Sequence, residues 1–522
     1  MPARHGLVLG ILLALAALMS AGARGQGPPS SESAYPQQAA ADPSPADAGL
    51  GPELEARLAA GGARSARERE ERAALARFYA GRRGEPVWVG EAGLTAAGSA
   101  VLAELRRADE WGLDPAAFAL PSLPAGAALG RAERADAEVA LSLAVLAYAR
   151  HARGGRAEPA SLSKYLDRPL RLPDPGEAIA AAAAQPDAYL RSLHPRHPQF
   201  EALRRKYLSL KRGEGAPAAA ASDTAVLRRL LVNMEAWRWM PEDLGDFHIW
   251  VAIPEFTLRV VKAGRVIHSE RAIVGKVDTQ TPVFSADLEQ VIFHPFWGVP
   301  DSIKRNDILP SLARGSTRLL ARYNLKIQRG GRTVDPESID WASADIRQFH
   351  VYQPPGGNNV LGVVKFRFPN KHDVYMHDTP TKNLFNAQVR AFSHGCVRVR
   401  EPQRLAELVL AEDQGWPAAR VASAVGSGPQ NNQVGLARKV PVHMTYFTAR
   451  VDDDGRLHLF PDIYGHETKI ALGMEGKAHL IPRWKEDKGP VRADAVGRLA
   501  ETVTGGSMRS KKEWVNRAFE NN

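Results

Sequence analysis

Two hydrophobic periods divide the chain. Between residues 52 and 212 apolar side chains recur at helical spacing. Leu102, Leu105 and Ala108 share one face of a segment that Thr95 starts and Gly112 stops, and Asp114-Pro115 opens a short helix with Asp as N-cap. Val139, Leu143 and Leu146 line another helix, ended by Gly154-Gly155, and Phe200, Leu203 and Tyr207 mark one more. Nothing in this helical domain suggests chemistry. Residues 213–222, Ala-rich with Gly and Pro, read as a linker, and a helix follows over 223–240, closed by Pro241. Then the period falls to two. Phe247, Ile249 and Val251 alternate with polar positions, as do Phe256, Leu258 and Val260, and Ala263-Gly264 is a hairpin turn into a strand over 266–274. Residues 290–293 and 374–376 continue the strands, Pro402 opens a helix through Leu410, and strands over 442–451 and 456–460 are joined by Asp452-Asp453-Asp454-Gly455.

Between about 301 and 359 the alternation lapses. A helix-like run over 310–323 and few strand signals predict an inserted helical subdomain that acts as a lid, with Pro354-Pro355-Gly356-Gly357-Asn358-Asn359 as its return hinge. That run lacks the Lys-Ser/Thr and strand-to-helix setting of a phosphate loop.

Composition adds limits. The 522 residues are 44% hydrophobic and 24% charged, enough for several globular units. The 68 Lys+Arg against 58 Asp+Glu give a formal charge of +10, which favours anionic surroundings. Residues 1–23 have a basic start at Arg4, an apolar run over 6–19 and small residues at 21–23, the form of a cleaved export signal; the run is shorter than the roughly 20 residues of a spanning helix. No later segment is long and apolar enough to be a membrane anchor. Export removes nucleic acid as a partner and favours an anionic envelope polymer. Residues 24–51, rich in Pro, Ser, Gly, Gln and Ala, read as a disordered tether, and residues 483–522 as a weakly patterned basic tail.

Cys396 is the only cysteine, which excludes an intramolecular disulfide, a four-cysteine zinc site and a Cys-x-x-Cys pair. It stands in Ser393-His394-Gly395-Cys396-Val397-Arg398, where Gly395 permits unusual dihedrals and the polar Ser393 and His394 are unlike the surroundings of a structural cysteine. Nineteen residues upstream, Tyr375-Met376-His377-Asp378-Thr379-Pro380 puts a histidine at a strand end. A thiol must lose its proton to attack a carbonyl, and an imidazole lowers that barrier.

These strings resemble the active-site motif of the L,D-transpeptidase (YkuD-type) catalytic domain, which cross-links bacterial peptidoglycan. Asn233-Met234-Glu235-Ala236-Trp237-Arg238-Trp239-Met240-Pro241 and Trp297-Gly298-Val299-Pro300 match the large periplasmic branch of that family, and Gly112-Leu113-Asp114-Pro115 is similar to its scaffold domain. The fold class implied is α+β multidomain: an N-terminal helical scaffold domain over 52–212, then a mostly β catalytic domain over 223–482 with the capping insertion inside it. The branch commonly carries a peptidoglycan-binding module before the catalytic domain, and here the 213–222 linker stands in its place.

The resemblance implies that Cys396 attacks the third-residue carbonyl of a stem tetrapeptide, with His377 as base and the backbone N–H groups of Gly395 and Cys396 receiving the oxyanion. No metal or cofactor is needed, the partners are donor and acceptor peptidoglycan stems, carbapenem-type inhibitors should acylate the thiol, and the place is the periplasm. The acceptor stays open between a second stem, an envelope protein's lysine and water. A non-catalytic peptidoglycan-binding scaffold is the reading of a different class, opposed by the intact Cys396 and His377. Five further residues are candidates for substrate contact. Ser393 and His394 flank the nucleophile; His394 is either a second base or a structural hydrogen-bonding group. Arg398 either holds a substrate carboxylate or pairs with an acidic neighbour, Tyr375 lines the pocket or packs in the core, and Trp297 packs under the lid or touches peptide. A zinc site from His372, His377, His394 and Cys396 fits no common ligand spacing.

Overall fold

The computed structural model describes residues 49–482, apart from 61, 63–64, 123–128 and 214–223. The expected export signal, nearly all of the tether and the linker, and the basic tail lie outside the described residues. No helix among those described is long and apolar enough to cross a membrane.

The N-terminal part is helical, as its period predicts. Thr95 caps the helix Ala96–Arg106 by accepting from the Gly98 N–H, and Gly112 turns the chain at φ 76°. The helix Arg131–Gly154 runs through the centre of this part, burying Leu141, Val145, Tyr148 and Ala152. It also buries Glu138, whose carboxylate accepts from the N–H groups of Val87, Trp88 and Val89 and from the Tyr79 hydroxyl. With so many donors the charge has replacements for its lost water, which is the condition for burying it.

The helix Thr224–Trp237 joins this part to the β domain. Its buried Glu235 accepts from the backbone N–H of Ala157 at 2.8 Å and from that of Arg156, and Arg238 donates to the carbonyls of Ala152 and Trp111. One apolar core runs across the junction, from Leu162, Phe200 and Leu203 of the helical part to Ile249, Leu258 and Phe366 of the sheet.

That sheet has nine strands: β1 (Phe247–Ala252), β2 (Thr257–Lys262), β3 (Arg265–Gly275), β4 (Phe284–Phe293), β5 (Val364–Arg367), β6 (Met376–His377), β7 (Ala391–Ser393), β8 (Val397–Val399) and β9 (Asn432–Thr445). Their order is β7-β3-β8-β6-β5-β4-β9-β1-β2, and β2 also pairs with β3, so eight strands close on themselves while β7 lies against the end of β3. Closure leaves few free edges. The turn between β2 and β3 has positive φ at both Ala263 and Gly264, the two-residue hairpin geometry that matches strand twist.

The chain after β4 departs from expectation. The insertion is mixed rather than helical. Its strands His350–Gln353, Lys326–Arg329 and Arg332–Thr333 join Trp297–Gly298 in a four-stranded sheet. The helix-like run over 310–323 is two short helices, Leu309–Leu312 and Arg318–Arg322, because Gly315 takes φ 71° between them. The insertion has its own core of Ile308, Leu309, Leu320, Ile327, Ile346 and Val351, closed by Trp297. The strand expected over 442–451 is also broken: β9 ends at Thr445, and Ala449–Val451 forms a separate hairpin with Leu457–Leu459.

Candidate active site

Cys396 sits on the three-residue loop between β7 and β8, partly open to solvent. Gly395 takes φ 116°, a conformation that side chains resist. The buried Ser393 ties the loop: its hydroxyl donates to the Cys396 carbonyl at 2.5 Å and accepts from the Gly395 N–H at 3.1 Å. The Gly395 carbonyl accepts from Thr281 Oγ1 at 2.8 Å, and Thr281 Oγ1 accepts from the Gly275 N–H at 2.9 Å. Tyr464 completes the brace, its hydroxyl donating to the Gly275 carbonyl at 2.6 Å and accepting from the Thr281 N–H at 3.3 Å. In a planar trans peptide the carbonyl and the following N–H point in opposite directions, so pinning the Gly395 carbonyl on Thr281 turns the Cys396 N–H away from the protein wall. The Gly395 N–H, expected as an oxyanion donor, is bonded here to the Ser393 hydroxyl.

The histidine strand lies beside this loop. β6 and β8 run parallel with Met376 opposite Val397 and His377 opposite Arg398, so one residue earlier Tyr375 stands opposite Cys396. Tyr375 and His377 share a strand face, and their rings meet edge to face at 5.6 Å. The buried His377 ring donates from Nδ1 to the Asp378 carbonyl, which leaves Nε2 as the acceptor atom. Asp378 is held in turn by the N–H groups of Val363 and Thr379 and by Lys382. Among the described residues no hydrogen bond joins the His377 ring to the thiol. The thiol's neighbours are the Asp373 carbonyl, 3.9 Å from Sγ, and Tyr375, whose backbone and hydroxyl both favour the thiolate.

Burial dominates the charges here. It raises the Cys396 thiol above its ordinary range, against the opposing pull of Tyr375, Lys365 and Arg398. Burial also pushes His377 down to about 3, with Arg398 adding repulsion and the Asp378 carbonyl opposing it. Burial thus favours the uncharged form of both groups.

Arg398 is buried under β6 and reaches Thr381 Oγ1 at 3.4 Å. Trp297 is buried in the insertion's core, against which Tyr375 packs, and is paired through its backbone with Gln353. His394, pushed by burial to about 4, has Nε2 3.8 Å from the carboxylate of Asp307. Asp307 belongs to the insertion, in a π-helical turn over Lys304–Ile308, and burial raises it to about 6. His372 stands apart from these groups and binds Asp167 at 2.9 Å. Among the described residues no cluster of three or more His, Cys, Asp or Glu side chains could hold a metal ion.

Three groups escaped the sequence reading. Lys365, opposite His377 on β5, places its ammonium 3.9 Å from the centre of the Tyr375 ring. Thr281 and Asp307 also reach the loop, from 115 and 89 residues before Cys396. None stands in a local motif; a Thr, a Lys and an Asp carry no signal until the sheet closes. A cleft of about 360 Å³ is lined by Gly298, Pro300, Lys365, Asn370, Asp373 and Tyr375, the last two being neighbours of the thiol.

Comparison with known proteins finds two families along the chain. The family described as the L,D-transpeptidase catalytic domain (YkuD) matches residues 246–432, and the family described as a scaffold domain matches residues 73–206. A Haemophilus influenzae protein whose name assigns it provisionally to the L,D-transpeptidases is 33% identical over 255 residues, 48% of this chain and 50% of its own length. The chain thus spans about half the length of that curated relative. Among solved structures, an L,D-transpeptidase from Mycobacterium smegmatis is 14% identical, covering 38% of this chain and 58% of its own with a TM-score of 0.18. An L,D-transpeptidase solved in complex with imipenem is 16% identical over 38% of this chain and 59% of its own, again with a TM-score of 0.18. The chain therefore carries a scaffold domain followed by an L,D-transpeptidase (YkuD) catalytic domain.

Proposed function

We propose that this acyltransferase forms peptidoglycan cross-links between the third residues of two stems, through a thioester on Cys396. The observation that carries the reading is the nucleophile loop: the chain's one thiol, with its own N–H turned outward by the Thr281 brace, beside a histidine whose Nε2 is kept unprotonated. Sγ attacks the third-residue carbonyl of a tetrapeptide stem, and its proton passes to His377 Nε2. Because the resting thiol is raised and the imidazole depressed, proton transfer and attack are coupled rather than sequential. The Cys396 N–H receives the oxyanion. The proton moves from His377 to the departing amine of D-Ala, leaving the thioester. The acceptor amine then attacks, gives its proton to His377, and the thiol is restored. His394 and Ser393 hold the loop, Tyr375 lines the cleft, Trp297 packs into the insertion's core, and Arg398 biases the thiol toward its anion. The place of action is the periplasm.

Incubating the chain with tetrapeptide muropeptides and identifying products by mass spectrometry tests this. Expected are release of D-Ala and a 3-3 cross-linked dimer, both lost in Cys396→Ala and His377→Ala. Imipenem should add one adduct per chain, absent from Cys396→Ala. D-Ala release at near wild-type rate by Cys396→Ala would overturn the mechanism. Dominant hydrolysis, or transfer to a protein lysine, would reassign the acceptor and leave the thioester intact.

A further inference from the structure

A second cavity, of about 370 Å³, lies where the helical part meets the sheet, and it does not include the thiol. Its size falls in the range of about 300–1,000 Å³ typical of small-ligand sites. Arg153, Arg168 and Arg171 reach it from the helical part, Trp239 from the turn after the joining helix, Phe284 from β4 and Lys371 from the loop after β5. Pro369 and Asn370 of that loop line both this cavity and the cleft at Asp373 and Tyr375.

The charges around it do not balance. Arg153 pairs with Glu242, and Lys371 shares Asp167 with His372 at 2.8 and 2.9 Å. Arg168 is 4% exposed, yet its guanidinium donates to neutral acceptors, the Ser285 hydroxyl and the Met444 carbonyl. Asp167, the carboxylate that acts on it, already accepts from Lys371 and bonds the His372 ring. Arg171 is exposed at the rim and makes no ion pair among the described residues. A guanidinium taken out of water without a counter-ion is costly, and a carboxylate arriving in the cavity would relieve that cost. Trp239 and Phe284 offer apolar wall beside the charge, which suits an organic acid better than a bare inorganic ion.

From this we infer that the junction cavity is a second binding site, for a peptide bearing free carboxylates, held on Arg168 and Arg171 and continuous with the cleft through the loop at Pro369 and Asn370. That the peptide is a peptidoglycan stem rests on the proposed function; the preference for a carboxylate does not.

The test is calorimetric titration of the full chain carrying Cys396→Ala with a muramyl tripeptide, which has no terminal D-Ala to lose. The expected result is one equivalent bound, at least tenfold weaker binding of the same peptide with its carboxylates converted to amides, and at least tenfold weaker binding by the Arg171→Glu variant. Citrate should bind at least tenfold more weakly than the peptide; equal or tighter citrate binding overturns the peptide assignment. The tripeptide should still bind to wild-type chain whose thiol has been acylated by imipenem. Equal affinity for acid and amide, an unchanged Arg171→Glu titration, or loss of binding on acylation each overturn the site. If imipenem leaves the wild-type thiol unmodified, the proposed function fails, and the Cys396→Ala titrations still decide the cavity.

Discussion

Thr281 shapes the reaction centre without touching a substrate. It fixes one peptide plane, and that plane carries the N–H expected to meet the oxyanion. Thr281→Val keeps the shape and removes the hydrogen bond. Deleting an oxyanion donor outright costs roughly 10²–10³ in rate; misdirecting one should slow imipenem acylation about tenfold while iodoacetamide alkylation of Cys396, which needs no oxyanion donor, stays unchanged. Equal rates of acylation would mean that the brace is structural only. A second expectation concerns the thiol itself. Its pKa is raised by burial, so the thiolate fraction is small at neutral pH and grows as pH climbs into and beyond the ordinary thiol range. The alkylation rate should therefore still be rising at pH 9. A plateau already reached at pH 7 would show a preformed thiolate.

The element that the sequence describes least well is the insertion. It is expected as a helical lid, and it brings a carboxylate, Asp307, to 3.8 Å from His394 of the catalytic loop. Trp297, which pairs with Gln353 and packs into the insertion's core, and Asn359, which donates to the Pro295 carbonyl, also hold it. If the insertion covers the thioester, Asp307→Ala should loosen that cover and shift the partition of acyl-enzyme from cross-linking toward hydrolysis about two- to fivefold, read from the ratio of tripeptide to dimer products. An unchanged ratio would mean that Asp307 plays no part in shielding. Its strands went unread because they are short and mostly polar, as in Lys326–Arg329, so alternation over them is too brief to separate from a loop.

Across the whole molecule, burial of histidines sets the response to acid. His151, His377, His443 and His466 are each pushed down to about 3 from an ordinary 6.5, in every case chiefly by burial. Below pH 6.5 the unfolded chain takes up protons that the folded chain refuses, so the stability they contribute is present in full above that pH and is lost as pH falls. The ceiling is about 1.4 kcal/mol per histidine per pH unit. Asp307, raised to about 6, and Glu138 and Glu235, also raised by burial, act in the opposite sense but are fewer than these histidines. The urea midpoint should thus fall steadily from pH 6.5 to pH 4, and a flat midpoint over that window would contradict the burial of these rings. The junction core also predicts that the helical part and the sheet unfold together, since Phe200 and Leu203 lose their cover if the sheet opens.

The sequence by itself determined what is local. The helical and two-residue periods gave the order of helical part and sheet, Gly112 and Gly264 their turns, and a lone cysteine in Ser-His-Gly-Cys, with a histidine nineteen residues before it, the candidate chemistry. These signals are carried by neighbouring residues, so periodicity and composition expose them. Tertiary structure alone decided how the loop's peptide groups are held, because the bond of the Gly395 N–H depends on how Ser393 turns, and that of the Gly395 carbonyl on Thr281, brought across by the pairing of β3 with β7 and β8. It also decided the protonation of the site, since the depression of His377 and the elevation of Cys396 come from burial beneath elements far away in the chain. Pairing register and desolvation are set by residues that meet only when the sheet closes, and no local pattern encodes them.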